Sequence, residues 1–94
     1  MGRKVECIHK RLYDGIWCIE CGKPATDTHH MVFGKNRANA ERLGLTCSMC
    51  RSCHSRLHDK DEELANKYRK MAQAAFEYEF DHELWLEIFG KNYL

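Results

Sequence analysis

The fold is decided by the stretch Cys50-Arg51-Ser52-Cys53-His54-Ser55-Arg56-Leu57-His58, which places a pair of cysteines directly before a pair of histidines. Cys50 and Cys53 stand three positions apart, and Cys18 and Cys21 repeat that spacing nearer the N-terminus. Two such pairs suit the tetrahedral coordination of a structural zinc ion. The sequence therefore predicts a domain that a zinc ion staples together.

The spacing of the cysteines leaves one ambiguity. Cys47, Cys50 and Cys53 are equally spaced, so either adjacent pair can complete the site with the two N-terminal cysteines. The remaining cysteines, among them Cys7, are expected as buried thiols in or near the core. His9 fits no metal-binding pattern and is expected to be structural, as is the histidine at position 82.

Four histidines form two close pairs on either side of a polar loop, His29-His30 at the end of a predicted strand and His54 with His58 on a predicted helix. Residues i and i+4 lie on one helical face, so His54 and His58 can direct their imidazoles at one ion. His29 can supply a third nitrogen, which leaves His30 free as a base. Neighbouring residues point to opposite faces of a regular strand, so a site that uses both must lie at a strand end.

The chain length of 94 residues allows one domain but buries little apolar surface, which is why an additional staple is expected. We predict a single α+β domain over residues 1–94. It comprises an N-terminal hairpin with the first zinc knuckle (1–25), a central metal-binding core (26–58) and a C-terminal helical extension (59–94).

Charge is distributed unevenly along the chain, although the net charge is only +1. Residues 1–58 carry ten Lys/Arg and five Asp/Glu, whereas residues 59–94 carry five and nine. The basic half contains every cysteine, and its charge favours contact with a polyanion such as nucleic acid.

The first eleven residues are charged throughout and contain no apolar run of the length of a signal peptide. The sequence also contains no stretch that is apolar enough to span a bilayer. Both observations disfavour a secreted disulfide scaffold, which is the rival explanation for paired cysteines. They predict a cytoplasmic protein with reduced thiols and no membrane partner.

The remaining pattern predicts short strands and turns first and helices afterwards. The predicted segments are strands over 5–19 around Asp14-Gly15, a zinc knuckle over 18–23, a β-like segment over 26–33, a polar loop over 34–37, a helical turn over 38–43, and a strand over 45–48.

From residue 51 onward the pattern is helical, with one apolar face formed by positions 57, 64, 68, 71, 72, 75, 76 and 80. Acidic residues over 59–63 mark the start of a long helix, and residues 84–89 predict a final short helix that Gly90 ends. Trp17, Trp85 and Tyr93 are expected in the core or at an interface.

Taken in order, these motifs resemble the HNH endonucleases, the ββα-metal nucleases. The resemblance covers residues 18 to 58 and rests on the first CxxC pair, the His29-His30 dyad and segment 50–58. Segments 72–77 and 88–94 resemble those of small phage and prophage HNH proteins. The resemblance therefore implies a small zinc-stapled ββα-metal fold and a phage- or prophage-encoded protein in a bacterial cytoplasm.

By this resemblance, His29, His54 and His58 bind a catalytic divalent ion (Mg²⁺, Mn²⁺, Ni²⁺ or Zn²⁺), and His30 is the general base for the attacking water. The implied reaction is hydrolysis of DNA phosphodiester bonds to 3′-hydroxyl and 5′-phosphate ends. The implied ligands of the structural Zn²⁺ are Cys18, Cys21, Cys50 and Cys53.

One position departs from the family pattern, because the middle asparagine is replaced by Leu45 or a neighbour. Asn36 and Asn39 lie earlier in the chain and can take over its bracing hydrogen bonds if the loop folds back toward the site. Three imidazoles already suffice as ligands and leave positions open for water and phosphate.

Basic residues flank the proposed site and are candidates for contacts with DNA phosphates, which supply most non-specific affinity. Phage packaging or recombination proteins are further candidate partners. The competing interpretation is a noncatalytic zinc ribbon that binds nucleic acid or protein. The candidate phosphate contacts are Lys35, Arg37, Arg42, Arg51 and Arg56.

Overall fold

Strands and helices alternate in the first half of the chain, and helices alone follow. The structure, a computed structural model, describes residues 15–94. Its elements are β1 (Asp27–His30), α1 (Arg37–Arg42), β2 (Thr46–Met49), α2 (Arg51–Asp59), α3 (Glu62–Glu79) and α4 (His82–Phe89), with a 3-10 turn at Gly34–Asn36 before α1. The α+β class is confirmed.

β1 and β2 form a two-stranded antiparallel sheet in which His29 lies opposite Cys47 and His30 opposite Thr46. Alternation along β1 puts Asp27 and His29 on one face of the sheet and His30 on the other. α2 follows β2 after a single residue and covers the face that carries Asp27 and His29. The register therefore determines which strand side chains meet α2.

The loop between the strands is fastened to α4. The Asn36 side-chain amide donates to the carbonyl of Phe89 at 3.0 Å, and that of Asn39 donates to the carbonyl of Ile88 at 3.3 Å. Both amides thus satisfy carbonyl groups in the last turn of α4, which have no partner inside the helix. The side chains of Asn36 and Asn39 thus fasten the loop to α4, and the hydrogen bonds that their amides donate to α4 are not directed at the histidine pairs.

The helix boundaries follow capping signals in the sequence. The Asp61 carboxylate accepts from the amide of Leu64 at the start of α3, and Asp81 accepts from Leu84 at the start of α4. Gly90 ends α4 with a left-handed backbone, φ 79°, a conformation that glycine adopts without a steric penalty. The predicted long helix and final short helix are both confirmed.

The hydrophobic core lies between α3, α4 and the sheet. Tyr68, Phe76 and Trp85 are completely or almost completely buried, together with Leu45. Trp17 behaves differently, because 59% of its surface is exposed. Of the two alternatives expected for Trp17, a place in the core is therefore wrong and a place at an interface stays a prediction; its backbone pairs with Pro24 in an isolated antiparallel bridge.

Most of the predicted hairpin over residues 5–19 lies outside the described residues, as do Cys7 and His9. Within residues 15–94, none of the helices combines the length and apolar character needed to traverse a lipid bilayer.

Candidate metal centres

The first candidate centre begins in the turn over residues 18–22. The amide of Cys18 donates to the carbonyl of Lys23 at 2.6 Å, and the amide of Gly22 donates to the carbonyl of Cys18 at 2.9 Å. Gly22 has φ 81°, which a residue with a side chain rarely adopts. This tight turn brings Cys18 and Cys21 to one side of the backbone.

Cys50 and Cys53 complete the centre from the start of α2. Cys50 is the N-cap residue of this helix, and its Sγ accepts from the amide of Cys53 at 3.5 Å. The Sγ atoms of Cys21 and Cys50 are 3.7 Å apart, and all four sulfurs lie within 4.8 Å of one another. Zinc–sulfur bonds of about 2.3 Å in a tetrahedron place sulfurs roughly 3.8 Å apart, so this cysteine cluster can hold zinc.

The ionisation of the cysteine cluster is unequal. Burial opposes ionisation of the Cys18 thiol, but the backbone amides of Cys50, Cys21 and Glu20 outweigh it and lower its pKa to about 6. Burial raises the pKa of Cys53 to about 12. Of these two thiols Cys18 is therefore the more readily ionised, and a divalent cation must displace the proton of Cys53.

Cys47 does not join this cluster. It lies in β2, fully buried and opposite His29, whereas Cys50 and Cys53 converge with the N-terminal pair. Equal spacing leaves open whether Cys47 and Cys50 or Cys50 and Cys53 join the N-terminal pair, and the structure brings Cys50 and Cys53 to that pair.

The turn is also tied to α3 through Glu20. The Tyr68 hydroxyl donates to Glu20 Oε1 at 2.6 Å, and Lys67 Nζ donates to the same oxygen at 3.1 Å. The Tyr68 hydrogen bond is the largest cause that lowers the pKa of Glu20. Tyr68 also packs edge-on against His29, with ring centroids 6.4 Å apart. One side chain on α3 therefore contacts both candidate centres.

The second candidate centre is formed by His29, His54 and His58. One nitrogen from each of these side chains lies within 4.8 Å of the others. The ring centroids of His54 and His58 are 4.9 Å apart, as expected for positions i and i+4 on one helix. This histidine cluster is partly accessible, because His29 is buried while His58 is exposed.

His29 provides the test of whether these residues fit a metal ion. Its side chain is completely buried, and neither Nδ1 nor Nε2 has a hydrogen-bond partner. An unsatisfied buried polar group costs about 1–3 kcal/mol, so an orphaned imidazole needs an explanation. Burial lowers the pKa of His29 to about 3, which keeps the ring neutral and able to bind a cation. The residues present therefore fit a metal ion.

Asp27 supports the histidine cluster from the same face of β1. Its Oδ2 lies 2.9 Å from His54 Nδ1, and Arg51 Nε lies 2.9 Å from the same oxygen. An ionised carboxylate can only accept, so His54 Nδ1 carries a proton and Nε2 keeps a lone pair. Asp27 is absent from the site predicted from the sequence, although its position two residues before His29 indicates a shared strand face.

His30 lies beside the histidine cluster but does not converge with it. His30 Nε2 lies 2.7 Å from Glu41 Oε1, and Arg37 Nε lies 3.4 Å from His30 Nδ1. All three residues line a depression of about 550 Å³ that Lys35 also borders. The structure therefore keeps the two adjacent histidines on opposite faces of β1, even at its last residue.

The five candidate phosphate-binding residues differ in the hydrogen bonds and ion pairs that they form with other residues of the chain. Lys35 and Arg37 line the depression next to His30. Arg42 Nη2 donates to an asparagine oxygen at 3.1 Å, and Arg51 binds Asp27 through two hydrogen bonds. Arg56 lies 3.8 Å from Glu20 and 3.6 Å from Asp61. Positive charge at Arg51 and Arg56 is thus partly balanced within the chain.

Comparisons of this chain with protein-family models, with curated proteins and with solved structures returned no match.

Proposed function

We propose that this chain is a metal-dependent endonuclease of the HNH type, with a ββα-metal core formed by β1, β2 and α2. It hydrolyses DNA phosphodiester bonds to 3′-hydroxyl and 5′-phosphate ends. The observation that carries the proposal is the convergence of His29, His54 and His58 around a buried imidazole without a hydrogen-bond partner. Coordination of a cation by one nitrogen of this imidazole would satisfy a buried lone pair that the described residues leave unsatisfied.

In this proposal His29, His54 and His58 hold a divalent cation, while Cys18, Cys21, Cys50 and Cys53 hold structural zinc. The catalytic cation supplies positive charge that offsets the negative charge developing on the phosphate and on the leaving oxygen. Asp27 orients His54 through the hydrogen bond to Nδ1.

His30 is the proposed general base. It accepts a proton from a water molecule whose oxygen attacks phosphorus, and the bond between phosphorus and the 3′ oxygen breaks. The 3′ oxygen then takes a proton from solvent. Lys35 and Arg37 line the depression that adjoins His30, where they can bind flanking phosphates.

The decisive experiment incubates supercoiled plasmid with purified protein and Mg²⁺, Mn²⁺, Ni²⁺ or Zn²⁺. We expect nicked or linear product that EDTA prevents and that a ligase reseals, because the ends are 3′-hydroxyl and 5′-phosphate. His30→Ala should lower the rate by ~10²–10⁴-fold without loss of bound metal. The matched control is His82→Ala. His82 is exposed, and it pairs with Glu77 and not with a residue of either candidate centre.

Two outcomes would overturn the proposal. The wild-type protein nicks no DNA with any of the four ions, or His30→Ala cleaves as fast as the wild-type protein and His82→Ala. The second outcome would show that His30 is not the general base, and the assignment of the metal-binding histidines would stand.

The second candidate function is a noncatalytic zinc ribbon that binds nucleic acid or a protein, such as a phage packaging component. The observation that favours it is the fully buried, apolar Leu45, which lies at or next to the position where the HNH resemblance expects asparagine. The ribbon requires one metal ion per chain and the nuclease two. Metal analysis of protein equilibrated with excess Zn²⁺ and then desalted distinguishes the two functions.

A further inference from the structure

The two ring nitrogens of His30 contact groups of opposite hydrogen-bonding character. Nε2 lies 2.7 Å from Glu41 Oε1, and Arg37 Nε donates toward Nδ1 at 3.4 Å. The His30 side chain is only 13% exposed, so its orientation is constrained by its neighbours.

These two partners identify the protonated nitrogen independently of each other. A guanidinium group only donates, so Nδ1 must offer its lone pair to Arg37. An ionised carboxylate only accepts, so Nε2 must carry the hydrogen that binds Glu41. Both contacts therefore require the same neutral tautomer, with the proton on Nε2 and the lone pair on Nδ1.

We propose that Glu41 is a positioning residue for His30, which holds the imidazole in this tautomer and orientation so that Nδ1 receives the proton of the attacking water. The inference rests on the proposed nuclease function. In other enzymes a carboxylate binds one nitrogen of a histidine base and remains ionised throughout the reaction. It thereby holds the other nitrogen in position to accept a proton.

The surroundings of Glu41 give it a defined position. Glu41 lies on α1 between Ala40 and Leu43, both fully buried, and the Asn39 side chain anchors the same helix to α4. The carboxylate is therefore held by a packed helix, although its own side chain is 47% exposed.

Arg37 must leave Nδ1 before that nitrogen can accept a proton. Arg37 lines the same depression as Lys35, where a phosphodiester would meet two positive charges. A phosphate oxygen forms a charge-assisted hydrogen bond with guanidinium, which is stronger than the contact of 3.4 Å with a neutral imidazole. DNA binding thus draws Arg37 away from Nδ1, the nitrogen that Glu41 has oriented, and toward phosphate.

The test uses nitrogen-15 NMR of the histidine side chains in the zinc-loaded protein at a pH where His30 is neutral. His30 signals are assigned by their loss in His30→Ala. We expect a protonated Nε2, an unprotonated Nδ1 and an Nε2 proton that exchanges slowly with solvent. Glu41→Ala should accelerate that exchange tenfold or more, Glu41→Gln should restore part of the protection, and the exposed Glu87→Ala should leave it unchanged.

The same variants are assayed on plasmid DNA. Glu41→Ala should lower kcat with KM and metal content unchanged, by no more than the ~10²–10⁴-fold that the base supplies, and Glu41→Gln should recover part of the rate. A protonated Nδ1 in the wild-type protein, or a wild-type rate in Glu41→Ala, would overturn the inference.

The two proposals fail in distinguishable ways. If the wild-type protein cleaves no DNA, the nuclease proposal falls and with it the catalytic role of Glu41, while the protected proton still tests the Glu41–His30 contact. If the wild-type protein cleaves and Glu41→Ala cleaves equally well, only the positioning role falls.

Discussion

The carboxylate of Asp27 accepts a hydrogen bond of 2.9 Å from Nδ1 of His54, so a strand residue fixes the orientation of an imidazole on α2. Hydrogen bonds from Arg51 and His54 hold the pKa of Asp27 well below its usual range, and the group stays ionised. Such carboxylates align histidine ligands and increase their basicity.

Removal of this carboxylate should weaken metal binding at the histidine cluster alone. For Asp27→Ala we expect a Kd for Ni²⁺ that is about 10–100-fold higher, measured by calorimetry on protein whose cysteine cluster holds zinc. Asp27→Asn keeps an accepting oxygen and should lose less affinity. Glu63→Ala, an exposed position on α3, is the control, and an unchanged Kd in Asp27→Ala would contradict the prediction.

Loss of one cysteine ligand should unfold the domain. Binding of structural zinc contributes roughly 10–16 kcal/mol in small zinc domains, which equals or exceeds the stability of most single domains. Cys18→Ser should therefore show no cooperative thermal transition and bind no zinc tightly. Cys47→Ala removes a buried sulfur outside the cluster and should keep both zinc and the transition. An undiminished zinc content together with an unchanged thermal transition in Cys18→Ser would exclude the four-cysteine site.

The free energy of unfolding should decrease as the pH is lowered, because His29 is buried in its neutral form. Its folded pKa is lowered by burial to about 3 from 6.5, so the unfolded chain binds a proton that the folded protein does not between these values. This contribution to stability is therefore fully present above pH 6.5 and is lost as the pH falls toward 3, by about 1.4 kcal/mol per pH unit at most.

This pH dependence is measurable by urea unfolding between pH 7 and pH 5.5, with zinc only at the cysteine cluster. His29→Gln should flatten the profile, because it removes the buried imidazole. Parallel profiles for the wild-type protein and His29→Gln would show that the buried imidazole is not the cause.

Asn39 should matter for stability and not for chemistry. Its amide donates to the Ile88 carbonyl, and loss of one such hydrogen bond costs about 1 kcal/mol. Asn39→Ala should lower Tm by about 4–8 °C in a domain of this size, while the cleavage rate at 25 °C stays unchanged. A large rate loss at unchanged Tm would instead place Asn39 in the active site.

Lys35 should contribute to DNA affinity independently of sequence. Removal of one side chain that binds a phosphate reduces the slope of log K against log salt by about 1, and we expect this for Lys35→Ala and Arg37→Ala. Binding is measured by fluorescence anisotropy with a catalytically inactive His30→Ala background and several salt concentrations. Lys70→Ala, at an exposed site on α3, is the control. An unchanged slope would place the DNA elsewhere.

Much of the helical half could be predicted because its signals are local. Asp61, Asp81 and Gly90 mark helix ends through contacts within a few residues, and the apolar periodicity of α3 specifies its buried face. The convergence of His54 and His58 follows in the same way from their spacing on one helix.

Other features depend on contacts between distant residues. Glu41 meets His30, and Asn39 meets Ile88, only after the loop has packed against α4, so neither pairing has a local pattern. Large aromatic residues usually pack in the core, yet Trp17 lies exposed beside the cysteine turn. Equal spacing of Cys47, Cys50 and Cys53 contains no information on which sulfurs converge.

Cys53 and His54 are consecutive residues of α2, so a single helix supplies ligands to both candidate centres. If α2 is ordered by the first ion that binds, less conformational entropy is lost when the second ion binds. The two occupancies are then thermodynamically linked, and the linkage acts equally in both directions. A plot of cleavage rate against total zinc should accordingly be sigmoidal. A chelator that removes zinc from the cysteine cluster alone should also lower the metal affinity of the histidine cluster and abolish cleavage.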